Sequence, residues 1–333
     1  MRLLTRTDVE RTLSMPDAIE AVRRAFIELS TGSADIPLRA AIPLTRHDGV
    51  TLLMSGYLRE AGALAVKIVS VHGGNPARKL PRINALVVLI DPETGRPVAA
   101  MEGGYLTALR TGAGSGVATG LLARKDAETA AILGAGIQAR TQLQAVAAVR
   151  AIKRFRIYAR HSENVRAMIA ELQPQFDPSI EIFPAQSPAE AVRNADVICA
   201  ATTSATPVFS GADLKPGAHV NAVGSYQPNV QEIDCETLRR ASKIVIDSRE
   251  GAMAEAGDLL VAIARGAISP DDIYAEVGEI AAGLKPGREN DNEITYFKSV
   301  GNAAQDAAVA HAIYQQAMNA NLGLEIELSR DSM

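Results

Sequence analysis

The decade Ala130 to Ala139 reads AAILGAGIQA, with glycines at 134 and 136 and alanine at 139. This is the G-x-G-x-x-A spacing of a dinucleotide-binding turn. Gly134 permits the tight turn, Gly136 lets the backbone approach a pyrophosphate, and Ala139 lets the following helix pack close to the strand. The free N–H groups and partial positive charge at that helix start suit phosphates. An apolar strand precedes the motif, and a helix and a second strand follow it. That context separates it from an ordinary glycine-rich turn. The candidate cofactor contacts here are Gly134, Ala135, Gly136, Ile137, Gln138 and Ala139. The second strand ends Ile157-Tyr158-Ala159-Arg160-His161-Ser162, where an NAD binder normally places Asp or Glu for the ribose 2′-hydroxyl. Arg160, with His161 and Ser162 beside it, can instead stack on adenine and pair with a 2′-phosphate. The reading favours NADP(H) and keeps NAD(H) as the alternative, with Arg160 then a solvated surface residue.

Three cations stand where apolar or small residues dominate. Lys67 lies in LAVKIVSV, on the strand face that carries Ala65, Val69 and Val71. An unpaired buried charge is costly, so this amine must reach a partner or a cleft. Arg110 sits among the Gly, Ala, Ser and Thr of 107–122, and Arg39 follows Ile36-Pro37-Leu38 in an extended segment. Together they could bind a carboxylate, with arginine suited to bidentate contact. Separately, Lys67 could emerge at a sheet edge, Arg39 could be a loop charge, and Arg110 could form an interdomain salt bridge.

The elements that must position these groups fall into two rhythms. Ser14, Pro16 and Asp17 open a helix over 14–31, in which Ile19, Val22, Phe26 and Leu29 recur at helical spacing before Gly32. From Ile42 to Leu89, short apolar runs alternate with the turns Asp48-Gly49 and Gly73-Gly74, a β-rich pattern. Asp91–Gly95 is a further turn, and 107–122 reads as a tightly packed helix. From Glu128 the order becomes strand, helix, strand: strands at 129–133, 155–158, 197–201, 220–223 and 244–246, helices at 138–149 and 162–172, and a cap at Ser187 with Glu190. Such alternation means parallel βαβ units. A last helix spans 303–322. The fold class is α/β: a Rossmann dinucleotide-binding domain plus a second, α+β domain.

Bulk properties exclude other classes. The chain has 333 residues, 47% hydrophobic, a net charge of −4 and no tryptophan. It is long enough for two domains, and it has neither a basic stripe nor a stacking platform for nucleic acid. Asp8, Glu10 and Arg11 interrupt any secretory apolar core, and no run approaches the roughly 20 apolar residues of a membrane helix. Cys199 and Cys235, in or near buried strands, read as reduced core residues. The five histidines have no metal-ligand spacing, so no metal is expected. A cytoplasmic location is the expectation.

Seven segments, in order, resemble the ornithine cyclodeaminase/mu-crystallin family: AVKIVSVHGGN, LIDPETGRPVA, LTALRTGAGS, GAGIQA, ADVICAATTS, HVNAVGSYQPNVQEID and FKSVGNAAQDAA. The resemblance spans nearly the whole chain. It implies a homodimer whose substrate-binding and dimerisation domain is residues 1–120 with 303–333, whose Rossmann domain is 121–302, and whose active site lies in the cleft between them. It further implies that Arg39, Lys67 and Arg110 bind the substrate carboxylate. Ala201 and Thr202 would line the cofactor, Asn221, Val223 and Gly224 would lie near the nicotinamide, and Lys298 and Ser299 would lie in a late loop close to the cofactor. One departure stands out. Ornithine cyclodeaminases carry an Asp in the segment matching NAVGSYQPN, where this chain has Tyr226 after Ser225, as the family's reductase branches also lack that Asp.

The leading expectation is therefore NAD(P)H-dependent reduction of a small cyclic imino acid, Δ1-pyrroline-2-carboxylate or Δ1-piperideine-2-carboxylate, to L-proline or L-pipecolate. Lys67 is the candidate catalytic residue, polarising the imine or donating a proton with its pKa lowered by neighbouring arginines. The alternatives are an ornithine cyclodeaminase, an alanine dehydrogenase, and a non-enzymatic binding protein of the mu-crystallin kind.

Overall fold

In the computed structural model, which describes residues 1–327, a short strand β1 (Arg2–Leu4) leads into two capped helices, α1 (Arg6–Thr12) and α2 (Met15–Ser30). Thr5 and Asp8 form a reciprocal capping box at α1, and the Ser14 hydroxyl accepts the Asp17 N–H at α2. These contacts satisfy donors that every helix start leaves open, each worth about 1 kcal/mol. Helix α2 buries Ala18, Val22, Ala25 and Phe26, and the chain turns away at Gly32 with φ +79°.

Next come β2 (Ala34–Asp35), β3 (Ala40–Leu44), β4 (Gly49–Leu58), β5 (Ala63–His72), β6 (Ile83–Ile90) and β7 (Pro97–Glu102). Strands β4 to β7 pair antiparallel in chain order, β2 and β3 both pair with β4, and β1 joins β7 in parallel. Along β5 the period-two alternation buries Ala63, Ala65, Lys67 and Val69. The opposite face carries Leu53, Ile68 and Leu86, which are direct cross-strand neighbours and 38%, 40% and 45% exposed.

Helix α3 (Gly103–Leu122) follows, starting four residues before the expected 107. The chain clusters into two compact units, Met1–Arg110 together with the chain from Asn302, and Thr111–Gly301. The division lies within α3 rather than at residue 120.

The second unit begins in α3 and continues with β8 (Thr129–Leu133), α4 (Ile137–Val149), β9 (Arg154–Tyr158), α5 (Ser162–Leu172), β10 (Glu181–Pro184), α6 (Pro188–Val192), β11 (Val197–Ala200) and β12 (His219–Ala222). After them come α7 (Cys235–Arg240), β13 (Lys243–Ile246), α8 (Arg249–Glu255), α9 (Gly257–Ala264), β14 (Ile273–Glu276), α10 (Val277–Ala281) and β15 (Thr295–Lys298). All ladders are parallel, in the order β10-β9-β8-β11-β12-β15-β13-β14. Strands β11, β12, β13 and β15 are buried at every position, as expected for the middle of a sheet covered by helices on both sides. From β8 the chain steps outward to β9 and β10, then returns to β11 on the other side of β8. The carboxyl ends of β8 and β11 therefore form the topological switch point at which such sheets bind ligands.

The small residues of α3 have a steric cause. A Cβ on Gly112 would lie 2.6 Å from the Thr141 carbonyl oxygen of α4. At the α3 C-terminus, Arg150 donates to the Gly120 and Ala123 carbonyls and Arg288 to that of Leu122, satisfying groups the helix cannot.

The chain returns to the first unit as α11 (Ala303–Asn319), where Asn302 and Gln305 form a capping box. Its alanine-rich face packs on α2 and on β4 and β5, close enough that a Cβ on Gly56 would meet Ala303 at 3.0 Å. A final strand β16 (Leu324–Glu325) pairs with β1.

Three expectations need correction. Cys235 is not in a strand; it opens α7 behind the Asp234 cap, half-buried, while Cys199 is buried in β11. The last helix stops at Asn319, three residues short of Leu322, because Asn321 turns left-handed at φ +50°. Lys298 is not in a loop but ends β15, a strand inserted out of chain order between β12 and β13.

Candidate functional site

Lys67 lies on β5 between β4 and β6, opposite Met54 and Val87, and is 1% exposed. The sheet-edge reading is thereby excluded. Its Nζ donates to Asp306 Oδ2 at 2.6 Å. Arg110 places Nε 3.0 Å from Asp306 Oδ1 as an ion pair without hydrogen-bond alignment, and its Nη1 donates to Gln305 Oε1 at 3.1 Å. Arg110 thus pairs inside its own unit, not across domains. Arg39, half-buried between β2 and β3, is near enough for its charge to act on Lys67. The structure brings the three cations together, and it adds Asp306 and Gln305, which sequence reasoning passed over.

Burial pushes the Lys67 amine down to about 8; Asp306 opposes this, while Arg110 and Arg39 add to it. Asp306 sits in the first turn of α11, where the helix dipole favours a carboxylate. Lys67 and Arg110 share this one carboxylate, and the charge of Arg39 reaches Lys67. Such a cluster can take up a carboxylate ligand and hold a proton that is easily released near neutral pH.

In the second unit, Gly134 has φ +116°, and a Cβ there would lie 2.5 Å from the Ala201 carbonyl oxygen. Its N–H bonds the Tyr158 carbonyl, which extends the parallel ladder of β8 and β9 by one residue. Gly136 caps α4 with open space where a side chain would be. Ala139 is buried against the strand, whereas Ala135, Ile137 and Gln138 are half-buried. This cradle, at the switch point and at a helix start, fits a dinucleotide pyrophosphate. Arg160, His161 and Ser162 follow β9 and are exposed; His161 stands 3.4 Å from Glu163 and Ser162 accepts from Arg166.

The loops after β11 and β12 are tied by a residue not singled out from the sequence. Glu232 Oε1 accepts from the Thr202 N–H and hydroxyl at 2.7 Å each, and Oε2 accepts from the Gly224 N–H at 2.9 Å. Burial raises the Glu232 pKa, with Lys298 and the Thr202 hydrogen bond opposing. Asp258 Oδ1 accepts from the Glu232 and Ile233 N–H groups, and its Oδ2 takes the Lys298 amine at 2.6 Å. Lys298 Nζ also donates to the Ser225 carbonyl and hydroxyl, so its three hydrogens are committed inside the unit. Ser299 donates to Asp247. Asn221 is likewise turned inward, donating to Thr119 and facing His219 Nε2, whose pKa burial lowers to about 3. Val223 extends β12 by donating to the Ala200 carbonyl. Of the residues proposed along these strand ends, Ala201 and Thr202 follow β11 and Val223 and Gly224 follow β12, with their N–H groups spent on Leu133, Glu232, Ala200 and Glu232. Lys298, Ser299 and Asn221 instead spend their side chains on internal bonds.

Comparison with known proteins places these features in context. The model of the ornithine cyclodeaminase/mu-crystallin family matches residues 1–321. The chain is 40% identical over 327 residues to the Δ1-pyrroline-2-carboxylate reductase of Bacillus cereus, covering 98% of this chain and 100% of that one. Among solved structures it is similar to Thermococcus litoralis Δ1-pyrroline-2-carboxylate reductase in complex with NADH and L-proline, with a TM-score of 0.94, 44% identity, and 98% and 100% of the two chains covered. An archaeal alanine dehydrogenase dimer with bound NAD follows, with a TM-score of 0.91, 37% identity and 99% of both chains covered.

Proposed function

The chain belongs to the ornithine cyclodeaminase/mu-crystallin family, and from that premise we propose that it reduces a small cyclic imino acid, Δ1-pyrroline-2-carboxylate or its six-membered homologue, to the L-amino acid with NAD(P)H. The observation that carries this reading is the buried cluster of Lys67 and Arg110 on Asp306, with Arg39 near enough for its charge to act on Lys67. The cluster's guanidinium and ammonium groups suit an α-carboxylate, and the two relatives named for this reduction each cover 98% of this chain.

Bound, a reduced nicotinamide supplies the hydride for the C=N carbon. Gly134, Gly136 and the first turn of α4 would hold its pyrophosphate, and Glu232 fixes the loops that carry Thr202 and Gly224. Arg39 and Arg110 fix the substrate carboxylate, which orients the imine. Lys67 Nζ holds the proton that the imine nitrogen takes up as its carbon is reduced, so Lys67 works in its charged form below about pH 8. Arg160, exposed and with no acid in its place, favours NADP(H); NADH and NAD, held by the solved relatives, are accepted as well.

Reduction of pyruvate with ammonia uses the same carboxylate cluster, as the likeness to alanine dehydrogenase suggests. Cyclisation of ornithine is disfavoured: Tyr226 packs on the apolar core, and Ser225 is spent on Lys298 and Asp258. The exposed row Leu53–Ile68–Leu86 is the proposed seat of a second copy of the chain, in a homodimer like that of the archaeal relative. No helix among the described residues is long and apolar enough to cross a membrane. Two free cysteines suit a reducing compartment, and the cytoplasm is the proposed location.

The test is NADPH and NADH oxidation, followed by absorbance, with Δ1-pyrroline-2-carboxylate and, in parallel, pyruvate plus ammonia. Rapid oxidation with the imino acid supports the reading; none with it, but turnover of pyruvate, moves the assignment to alanine dehydrogenase.

A further inference from the structure

A carboxylate in the middle of a carboxylate-binding site weakens its attraction for substrate, so Asp306 must supply something that the cations lack without it. Three observations bear on what that is. Asp306 bridges two cations from different elements, Lys67 of β5 and Arg110 of α3, at 2.6 and 3.0 Å. All three side chains are nearly or fully buried, at 1%, 6% and 1% exposure for Lys67, Arg110 and Asp306. The titratable and charged groups facing Lys67 are Asp306, Arg110 and Arg39, and of these only Asp306 favours the charged amine. Without it, two guanidinium groups and burial all push toward a neutral amine. Gln305 completes the arrangement, taking Arg110 Nη1 while capping α11, so adjacent residues on one helical turn orient both cations.

We propose that Asp306 is the positioning residue of the carboxylate site, fixing the Lys67 amine and the Arg110 guanidinium in place and keeping Lys67 charged until it gives its proton to the substrate. This rests on the reading of Lys67 as the group that acts on the imine.

The experiment compares wild type, Asp306→Asn and Asp306→Glu in the pH dependence of kcat/KM for Δ1-pyrroline-2-carboxylate. In wild type the rate falls as pH rises through about 8, where Lys67 loses its proton. Asp306→Asn removes the one charge that favours the ammonium, so the falling limb moves to lower pH by at least about one unit, a tenfold change in the charged-to-neutral ratio. Activity is recovered to within a few-fold at pH values below the new limb. Asp306→Glu keeps the charge but lengthens the arm, so the limb stays in place while kcat drops. If Asp306→Asn does not fold, the Glu variant and an NMR titration carry the test. That titration follows the Lys67 ε-methylene, assigned by its loss in Lys67→Met, in wild type and Asp306→Glu. An unmoved limb in Asp306→Asn, with a loss equal at every pH, overturns the proposal. So does an NMR midpoint that shifts in Asp306→Glu as though the charge were gone. Wild-type protein that turns over no imine refutes the functional reading instead; the NMR midpoint in wild type and Asp306→Asn then judges Asp306 by itself.

Discussion

Replacing Lys298 with methionine keeps the length and apolar bulk of the stem and deletes only the amine. That amine is wholly buried and bonded to the Ser225 carbonyl, the Ser225 hydroxyl and Asp258 Oδ2 at 2.7, 3.0 and 2.6 Å. Without it, the Asp258 carboxylate stays buried with only the Ser225 hydroxyl on Oδ2 and the Glu232 and Ile233 N–H groups on Oδ1. Breaking one side of a buried pair costs about 3–5 kcal/mol. For a unit of this size, about 2–4 °C of Tm per kcal/mol converts that to a fall of roughly 6–20 °C. Thermal unfolding by circular dichroism reads it, and nucleotide titration well below the transition reads the site. The expected result is a large fall in Tm with nucleotide affinity changed only a few-fold. Adding Asp258→Asn should recover part of the loss, since no uncompensated charge then remains. A Tm within about 2 °C of wild type together with an affinity loss of tenfold or more would refute the internal clamp and return Lys298 to the cofactor.

The other predictions can be checked with the same protein. Lys67→Met should abolish imine turnover while NADPH binding, measured by fluorescence titration, stays near wild type. Gly134→Ala forces a side chain into a left-handed turn against the Ala201 carbonyl, costing about 1–3 kcal/mol and weakening nucleotide binding; unchanged binding would mean the turn is not the cradle. Arg160→Ser should cut the preference for NADPH over NADH by about tenfold, the scale of one charge-assisted hydrogen bond at an exposed position; an unchanged ratio removes Arg160 from the 2′-phosphate. Ile68→Asp, on the exposed sheet face, should yield monomer by light scattering if that face seats the second copy.

The parts of the fold legible in the sequence were those written locally. Ser162–Leu172 and Thr129–Leu133 have the bounds read from their local sequence. Gly134 and Gly136 stand where a φ of +116° and an open helix cap require them. What escaped was decided at long range. Strand β15 is four residues long, and its place between β12 and β13 breaks chain order, so nothing near Lys298 shows that its amine points inward. Glu232 and Asp258 look like surface acids until the loops they tie are folded. The anomaly of Lys67 was visible as a cation on an apolar face, and its resolution lay in Asp306, on a helix whose alanine-rich sequence showed only that it packs tightly.

The pairing of Lys67 with Asp306 spans 239 residues of chain, and this sets an order in time during synthesis. At about 5–20 residues per second, a ribosome needs roughly 12–50 s after making Lys67 before Asp306 exists. The strands of the first sheet are therefore made long before the helix that neutralises the charge on their inner face, and the whole of Thr111–Gly301 emerges in between. During that interval β5 cannot bury Lys67 without leaving a charge unpaired. The nascent first unit must stay open on the side where α11 will dock, and the parallel-sheet unit, complete once β15 is made, has time to fold first.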